Sequence, residues 1–457
     1  MKRIICALLM GFFSISGFGQ PRLPENYYWE KLPNGLEVVV IENNKVPLVK
    51  IEIAVKNGAF TEDSNYNGLS HLFEHMFFKA NKDYTDQEKF LKRTQELGAA
   101  WNGTTGDERV NYFFTFAKDS LTAGLEFMNA AIRFPIYRTE DMQKERPVVD
   151  GEFQRGESNP TYLLYFASQK KLWGDLYTRK NAIGIHEIIN TATPEKMMVI
   201  KNKYYYPNNS MLVICGDVKH EDAFAKAKAI FGNWESSGSD PILKYPIPEF
   251  KPLAATQYFV MESTLAQTPI ELYFWEGPDT RYDSAGTIAA NVFCTILGLN
   301  SSKWNQALVD KGLASVAGVQ YQTEKYVGPV QIYVMPNPSK IKACNDEILN
   351  QISQWGNADY FTDEQLKDAK ATILRNKIRE KERPSAQTNI LTYYWTSASL
   401  DYMTDFEKNC QKITREDIKR FVDKYISGKS YIAGMVISPD MNKKTSASES
   451  FKPVSTK

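Results

Sequence analysis

Apolar and polar residues alternate in "LEVVVIEN", from Leu36, and in "LVKIEIAVKNG", from Leu48, with turn residues around both, which predicts two β-strands. In "GLSHLFEHMFFKA", Gly68 to Ala80, the apolar positions shift to helical spacing. The same period returns in "DQEKFLKRTQELG", which stops at Gly98. Strand patterns follow in "AAWNGTT" and "RVNYFFTFA", then helical ones from Ser120 to about Phe134 and from Thr139 to about Gly156. A helix from Thr193, the strand "SMLVICGDV" and a helix to Phe231 close the first half.

From Asn233 to Ala255 the chain is dense in Pro, Gly and Ser, which disfavours a continuous helix or a central strand and marks a linker. The pattern then restarts with strands in "TQYFVMES" and "TPIELYFWEG", a helix in "SAGTIAANVFCTILG", two more strands and several long helices. The restart is a repeat. "TPEKMMVIKNKYYYPNNSMLVICGD" from Thr193 parallels "TREDIKRFVDKYISGKSYIAGMVISPD" from Thr414, with Tyr204 matched to Tyr425. "TEDMQKERPVVDGEF" from Thr139 parallels "TDEQLKDAKATILRN" from Thr362 at nearly the same offset. The expected fold is α+β: two homologous domains, residues 20–232 and 256–441, each a mostly antiparallel sheet covered by helices. Residues 233–255 link them and 442–457 form a polar tail.

Composition changes this picture little. With 43% hydrophobic and 24% charged residues the 457-residue chain is of ordinary globular type. Its 55 basic and 54 acidic residues give no global attraction to nucleic acid. The N-terminus adds more: "MKR", the apolar "IICALLMGFFSISGF" and the small-residue "GFGQ" read as a signal peptide over residues 1–19. Export, most simply to a periplasm, follows, with no stable membrane span after cleavage. The later cysteines, Cys215, Cys294, Cys344 and Cys410, have no paired metal-ligand spacing; Cys215 and Cys294 sit in apolar runs, and a Cys344–Cys410 disulfide is allowed but not required.

The chemistry concentrates in the first helix. Residues at i, i+3 and i+4 share a helical face, so His71, Glu74 and His75 project together. Two imidazoles suit one zinc ion, and a carboxylate between them is within reach of a water whose proton the metal makes labile. The competing account is an apolar helix, packed through Leu72, Phe73, Met76, Phe77 and Phe78, that carries two ordinary histidines. A catalytic zinc needs a third ligand. Glu145 and Glu152 lie two helical turns apart in "KERPVVDGEFQRGES" and share a face; either could bind the metal, leaving the other to orient a ligand or the water.

HLFEH followed by Glu152 within "ERPVVDGEF" resembles the insulinase and pitrilysin family of zinc metallopeptidases. "NGAFTED", "LGAAWNGTTGDERVNYFF" and "YYYPNNSMLVICGDV" resemble it too, and "ILGLNSSKWNQALVDKGLASVAGV" is similar to the start of its companion domain. The resemblance implies a zinc endopeptidase acting on peptides or small unfolded proteins. Its zinc ligands would be His71, His75 and Glu152, with Glu74 as general base and Glu145 as a supporting carboxylate. It also implies that Ala99, Ala100, Trp101, Asn102 and Gly103 form an edge strand to which substrate adds, with Asn102 beside the scissile bond, although Asn102-Gly103 also reads as a turn.

The second half departs from the family. Arg375 falls opposite Glu152, and apolar residues between Val292 and Gly298 fall opposite the histidines, so a second zinc site is not expected. Where the companion domain often supplies an arginine and a tyrosine to the reaction, "LVDKGLAS" has Val309 and Ser315; Tyr321 and Tyr326 are read as strand residues rather than replacements. The family's closed chamber takes four such domains and this chain has two, half of a clamshell. The implied partner is a homologous subunit bearing the arginine and tyrosine, in a heterodimer, or a second copy in a homodimer. The alternative is a non-catalytic structural subunit of the same fold.

Overall fold

The computed structural model describes residues 20–380, 382 and 384–451; the expected signal peptide and residues 452–457 lie outside them. The first half runs β1 (Tyr27–Lys31), β2 (Glu37–Glu42), β3 (Leu48–Val55), α1 (Leu69–Phe77), α2 (Gln87–Glu96), β4 (Ala100–Thr105), β5 (Val110–Ala117), α3 (Leu121–Arg133), α4 (Thr139–Glu157), α5 (Pro160–Trp173), α6 (His186–Asn190), α7 (Pro194–Tyr204), β6 (Ser210–Gly216) and α8 (His220–Phe231). After α9 (Pro241–Lys244), the second half runs β7 (Gln257–Glu262), β8 (Ile270–Glu276), α10 (Ser284–Leu297), α11 (Lys303–Asn305), β9 (Ala314–Tyr321), β10 (Pro329–Pro336), α12 (Ile341–Gln354), α13 (Asp363–Glu380), α14 (Pro384–Ser397), α15 (Leu400–Lys412), α16 (Arg415–Tyr425), β11 (Ile432–Ile437), α17 (Pro439–Thr445) and α18 (Ala447–Ser450).

Among the described residues these strands form two sheets, ordered β1-β2-β6-β3-β5-β4 and β7-β11-β8-β10-β9. Apart from β1 the orders correspond strand for strand. Each has one parallel pair, β2 with β6 and β7 with β11, and is otherwise antiparallel. The α+β duplication expected from the repeats is the architecture of the molecule. In both sheets the strand of the second hairpin nearest the first helix, β4 or β9, ends the sheet and leaves one side of its backbone unpaired.

One face of the first sheet, with Ile51, Ile53 and Val55 from β3, packs on Leu72, Phe73 and Met76 of α1. Its other face, with Ala54, Met211, Val213 and Cys215, is covered by Leu391 and Trp395 of α14, a helix of the second half. The second sheet is treated in the same way: Leu272, Phe274, Ile432 and Val436 lie under Leu164, Leu172 and Trp173 of α5, from the first half. Each half therefore lends one helix to the other's sheet, and the central strands of both sheets are buried on both faces. This is why β6 and β11 are apolar at successive positions, with every residue buried.

Three expectations change in detail. The linker stretch is partly packed: Trp234 joins the first core, and Phe250 and Leu253 lie against the cluster under α5. Residues 442–451, expected as polar tail, fold into the end of α17 and α18, with Ala447 and Phe451 buried in the second core. Tyr326 lies in the turn between β9 and β10 instead of in a strand, beneath the Arg281 guanidinium at 4.3 Å. Cys344 and Cys410 are separate free thiols, as are the buried Cys215 and Cys294.

Candidate metal centre

Helix α1 begins at Gly68, whose φ of 91° only glycine adopts without strain and whose Cα side faces Gly184 so closely that a Cβ would stand 2.6 Å from the Gly184 Cα. The buried carboxylate of Glu62 accepts from the first amides of the helix, Gly68 N at 2.7 Å and Ser70 N at 2.6 Å, in the role of an N-terminal cap. Burial pushes the Glu62 pKa up to about 7 against those bonds. The helix has two unlike sides. Leu69, Leu72, Phe73, Met76 and Phe77 are buried in the core, while His71 and His75 keep partly accessible edges.

The two imidazole Nε2 atoms face each other at 3.3 Å. Glu152 converges on the same point from α4, its oxygens 3.5 Å from His71 Nε2 and 3.9 Å from His75 Nε2. Glu145, two turns earlier, lies behind His75 and accepts from its Nδ1 at 2.8 Å, while Lys79 bonds the other Glu145 oxygen. Burial raises the Glu145 carboxyl, but the bonds from His75 and Lys79 outweigh it and hold it below the usual range. A proton kept on Nδ1 leaves the Nε2 lone pair of His75 aimed at the gap. Burial and the neighbouring His75 lower the His71 pKa to about 4, so this ring is a neutral donor. Burial lowers the His75 pKa, but the bond to Glu145 and the charges of Glu74, Glu145 and Glu152 outweigh it and raise it, so a metal would replace a proton on that ring. Two imidazole nitrogens and one carboxylate, their donor atoms within 4.8 Å of one another and one ring oriented by a second carboxylate, are a donor set that fits zinc.

Glu74 is almost fully buried beside this group. Its Oε2 accepts from Thr105 Oγ1 at 3.0 Å, and burial, aided by the charge of Glu152, raises its pKa above that of an ordinary glutamate. The strand β4 runs past it. Trp101, which packs on Phe78, and Gly103 and Thr105 face α1, whereas Thr104 bonds Asn111 on the other face. A Cβ at Gly103 would meet the Glu74 Cγ and Oε1 at 2.8 Å. Gly103 is thus the strand residue against the carboxylate; Asn102 lies on the opposite face, its Oδ1 accepting the Gly103 N–H at 2.9 Å. Ala99 precedes the strand, bonded to Thr94 O, and Ala100 pairs with Thr115 of β5.

Two polar neighbours escaped the sequence reading. Lys79 follows His75 by one helical turn, a spacing that could have found it, and Thr105 follows Gly103 by two strand positions, on the same face. In the second half, Arg375 lies on α13, the counterpart of α4, and bonds Thr372. Val309 is half-buried in a wide helical turn, Gln306–Asp310, and Ser315 is exposed on β9. Among the described residues the other His and Glu cluster, Glu42, His220 and Glu221, is a helix start: Glu42 Oε1 accepts both His220 N and Nδ1, at 2.9 and 2.8 Å.

A family model described as insulinase (peptidase family M16) matches residues 38–174, and one described as the peptidase M16 inactive domain matches residues 191–373. An uncharacterised zinc protease of Rickettsia felis is 25% identical over 364 residues, covering 79% of this chain and 85% of that one. Among solved structures, a protease from Helicobacter pylori superposes with a TM-score of 0.80 at 20% identity, over 92% of this chain and all of that one. The periplasmic protease PqqL from Escherichia coli superposes with a TM-score of 0.74 at 16% identity, over 95% of this chain but 51% of its own.

Proposed function

The chain belongs to the insulinase family, peptidase family M16, and from that premise we propose that it is an exported zinc-dependent endopeptidase that hydrolyses extended peptides or small unfolded proteins. The observation that carries the reading is the convergence of His71, His75 and Glu152 beside the buried Glu74, itself set against an edge strand. When bound there, one zinc ion would supply Lewis acidity toward the scissile carbonyl and make a water proton labile. The residues do the rest. Glu145 holds His75 in the tautomer that leaves Nε2 free, with Lys79 keeping that carboxylate in place. The β4 backbone, over Ala100 to Gly103, binds peptide by strand addition, which requires few particular side chains. Glu74, with a pKa raised by burial, takes the proton from the attacking water and passes it to the leaving amine.

The decisive variant is Glu74→Gln. It should keep about one zinc per chain by metal analysis and lose about 10²- to 10⁴-fold in peptide hydrolysis; full activity would remove Glu74 from the mechanism. Val309 and Ser315 offer no oxyanion donors of the family's kind, which supports a homologous partner subunit that supplies them. The same two residues favour a second reading, a non-catalytic structural subunit, and failure of the purified chain to bind zinc would select it.

A further inference from the structure

The edge strand β4 is paired on one side only, with β5. Yet a strand that orders a substrate must hold its register, because a slip of one residue turns every side chain to the other face. The far end of this hairpin is fastened to the second half of the molecule at two points. In the β4–β5 turn, Glu108 is buried and its carboxylate accepts Lys325 N at 2.8 Å and Tyr326 N at 2.7 Å, both in the β9–β10 turn. Its neighbour Arg109 donates to Asn389 O at 2.7 Å, Thr392 Oγ1 at 2.6 Å and Asn389 Oδ1 at 2.5 Å, all on α14.

A third connection reaches β4 through the sheet. Thr392 donates to the buried Glu52 at 2.7 Å, Glu52 accepts from Asn111 at 2.9 Å, and Asn111 is bonded by Thr104 of β4. The first half grips back: Lys180 forms a buried ion pair with Glu324 and donates to Val327 O at 3.0 Å. The tips of the two edge hairpins therefore hold each other across the duplication.

We infer that the second half braces the substrate strand, with Glu108 and Arg109 as positioning residues that act on the peptide through β4. This rests on the proposal that β4 receives the substrate. Both Glu108 oxygens are occupied by amides, so Glu108→Gln leaves one buried N–H facing an NH₂ group, and the turn 322–328 loses its hold on the hairpin.

The test uses the full zinc-loaded chain, with Glu108→Gln, Arg109→Met, the conservative Arg109→Lys, and Thr104→Val, which cuts only the link through the sheet. Hydrogen exchange at residues 100–105 should quicken about tenfold in the first two, with α1 protected as before and zinc content unchanged. The KM for a peptide of about ten residues should rise about tenfold while kcat stays near its starting value, and a blocked tripeptide should be nearly unaffected. Arg109→Lys should lie between, and Thr104→Val should repeat the effect more weakly in a protein of near-normal stability. Unchanged exchange at β4, or equal losses on long and short peptides, would overturn the brace. If the unsubstituted chain cleaves no peptide even with a homologous partner subunit present, the hydrolysis proposal fails separately, and exchange at β4 still decides the brace.

Discussion

Glu74 and Gly103 meet without room for a methyl group between them, and that contact gives a sharp consequence of a small change. Gly103→Ala must move the carboxylate or the strand by several tenths of an ångström. Hydrolysis should fall about tenfold to a hundredfold with zinc content unchanged, measured as kcat/KM alongside metal analysis. Glu62 makes a second prediction, in stability. Its pKa is about 7 in the folded chain against an ordinary 4.5, so the folded state binds more protons between those values. Its contribution to stability is therefore greatest below pH 4.5, declines as pH rises to about 7, and is flat beyond. Urea titrations across that window should show a decline of stability with rising pH that is shallower in Glu62→Gln than in the parent chain, by up to about 1.4 kcal/mol per pH unit. An equal slope in both would remove Glu62 from the pH dependence. At this scale the sequence was readable where one helix held the whole pattern: His71, Glu74 and His75 follow from spacing alone. Between Glu145 and Glu152, spacing could not choose, since both lie on one face; the distances to the two Nε2 atoms separate them. Glu62 carried no local signal, because its partners are amides whose position depends on how the chain turns at Gly68.

Most elements could be read from their period, and the strand order of the second sheet follows from the first once the repeat is seen. The exchanged helices could not. A helix such as α5 has almost no dominant apolar face, because it packs between its own half and the neighbouring sheet, and periodicity does not say which sheet a buried helix covers. The structure shows where the contact is tight: a Cβ on Gly434 of β11 would meet Leu164 Cδ1 at 2.8 Å and Phe259 at 2.6 Å. Glycine at that position lets α5 lie down on the second sheet. Leu164→Ala should then cost about 2 to 5 kcal/mol by urea unfolding. Because α5 joins the halves, the loss should appear as a single cooperative transition for the whole chain. An early melting of the second half alone would mean that the halves are less coupled than this packing implies. The expected polar tail misled for the reverse reason: two apolar residues, Ala447 and Phe451, in a run of Ser, Lys and Glu were enough to seat it on the second core.

Across the whole molecule, metal ligands and oxyanion donors are unequally shared between the halves. The first half brings together three side chains that could hold a metal ion, a buried carboxylate and an open strand; the second contributes α14 and a turn that grips the hairpin, but Val309 and Ser315 where the resemblance expects an arginine and a tyrosine. Neither side chain can donate a hydrogen bond across the distance those longer residues span, and each missing donor to a developing oxyanion costs about 10²- to 10³-fold in turnover. A homologous chain carrying the arginine and tyrosine would restore the donors by closing over the first as the other half of a chamber. Mixing the two chains should raise kcat on a ten-residue peptide by about 10²-fold or more. The gain should saturate at one partner per chain and leave the zinc affinity of this chain unchanged, because His71, His75 and Glu152 all belong to it. Replacing the partner's arginine should abolish the gain without abolishing the complex, which separates a chemical contribution from simple enclosure. In a homodimer, by contrast, specific activity should rise with the concentration of this chain alone. Full activity of the isolated monomer, with no response to a partner or to concentration, would show that two domains suffice and that the oxyanion is stabilised by groups already in this chain.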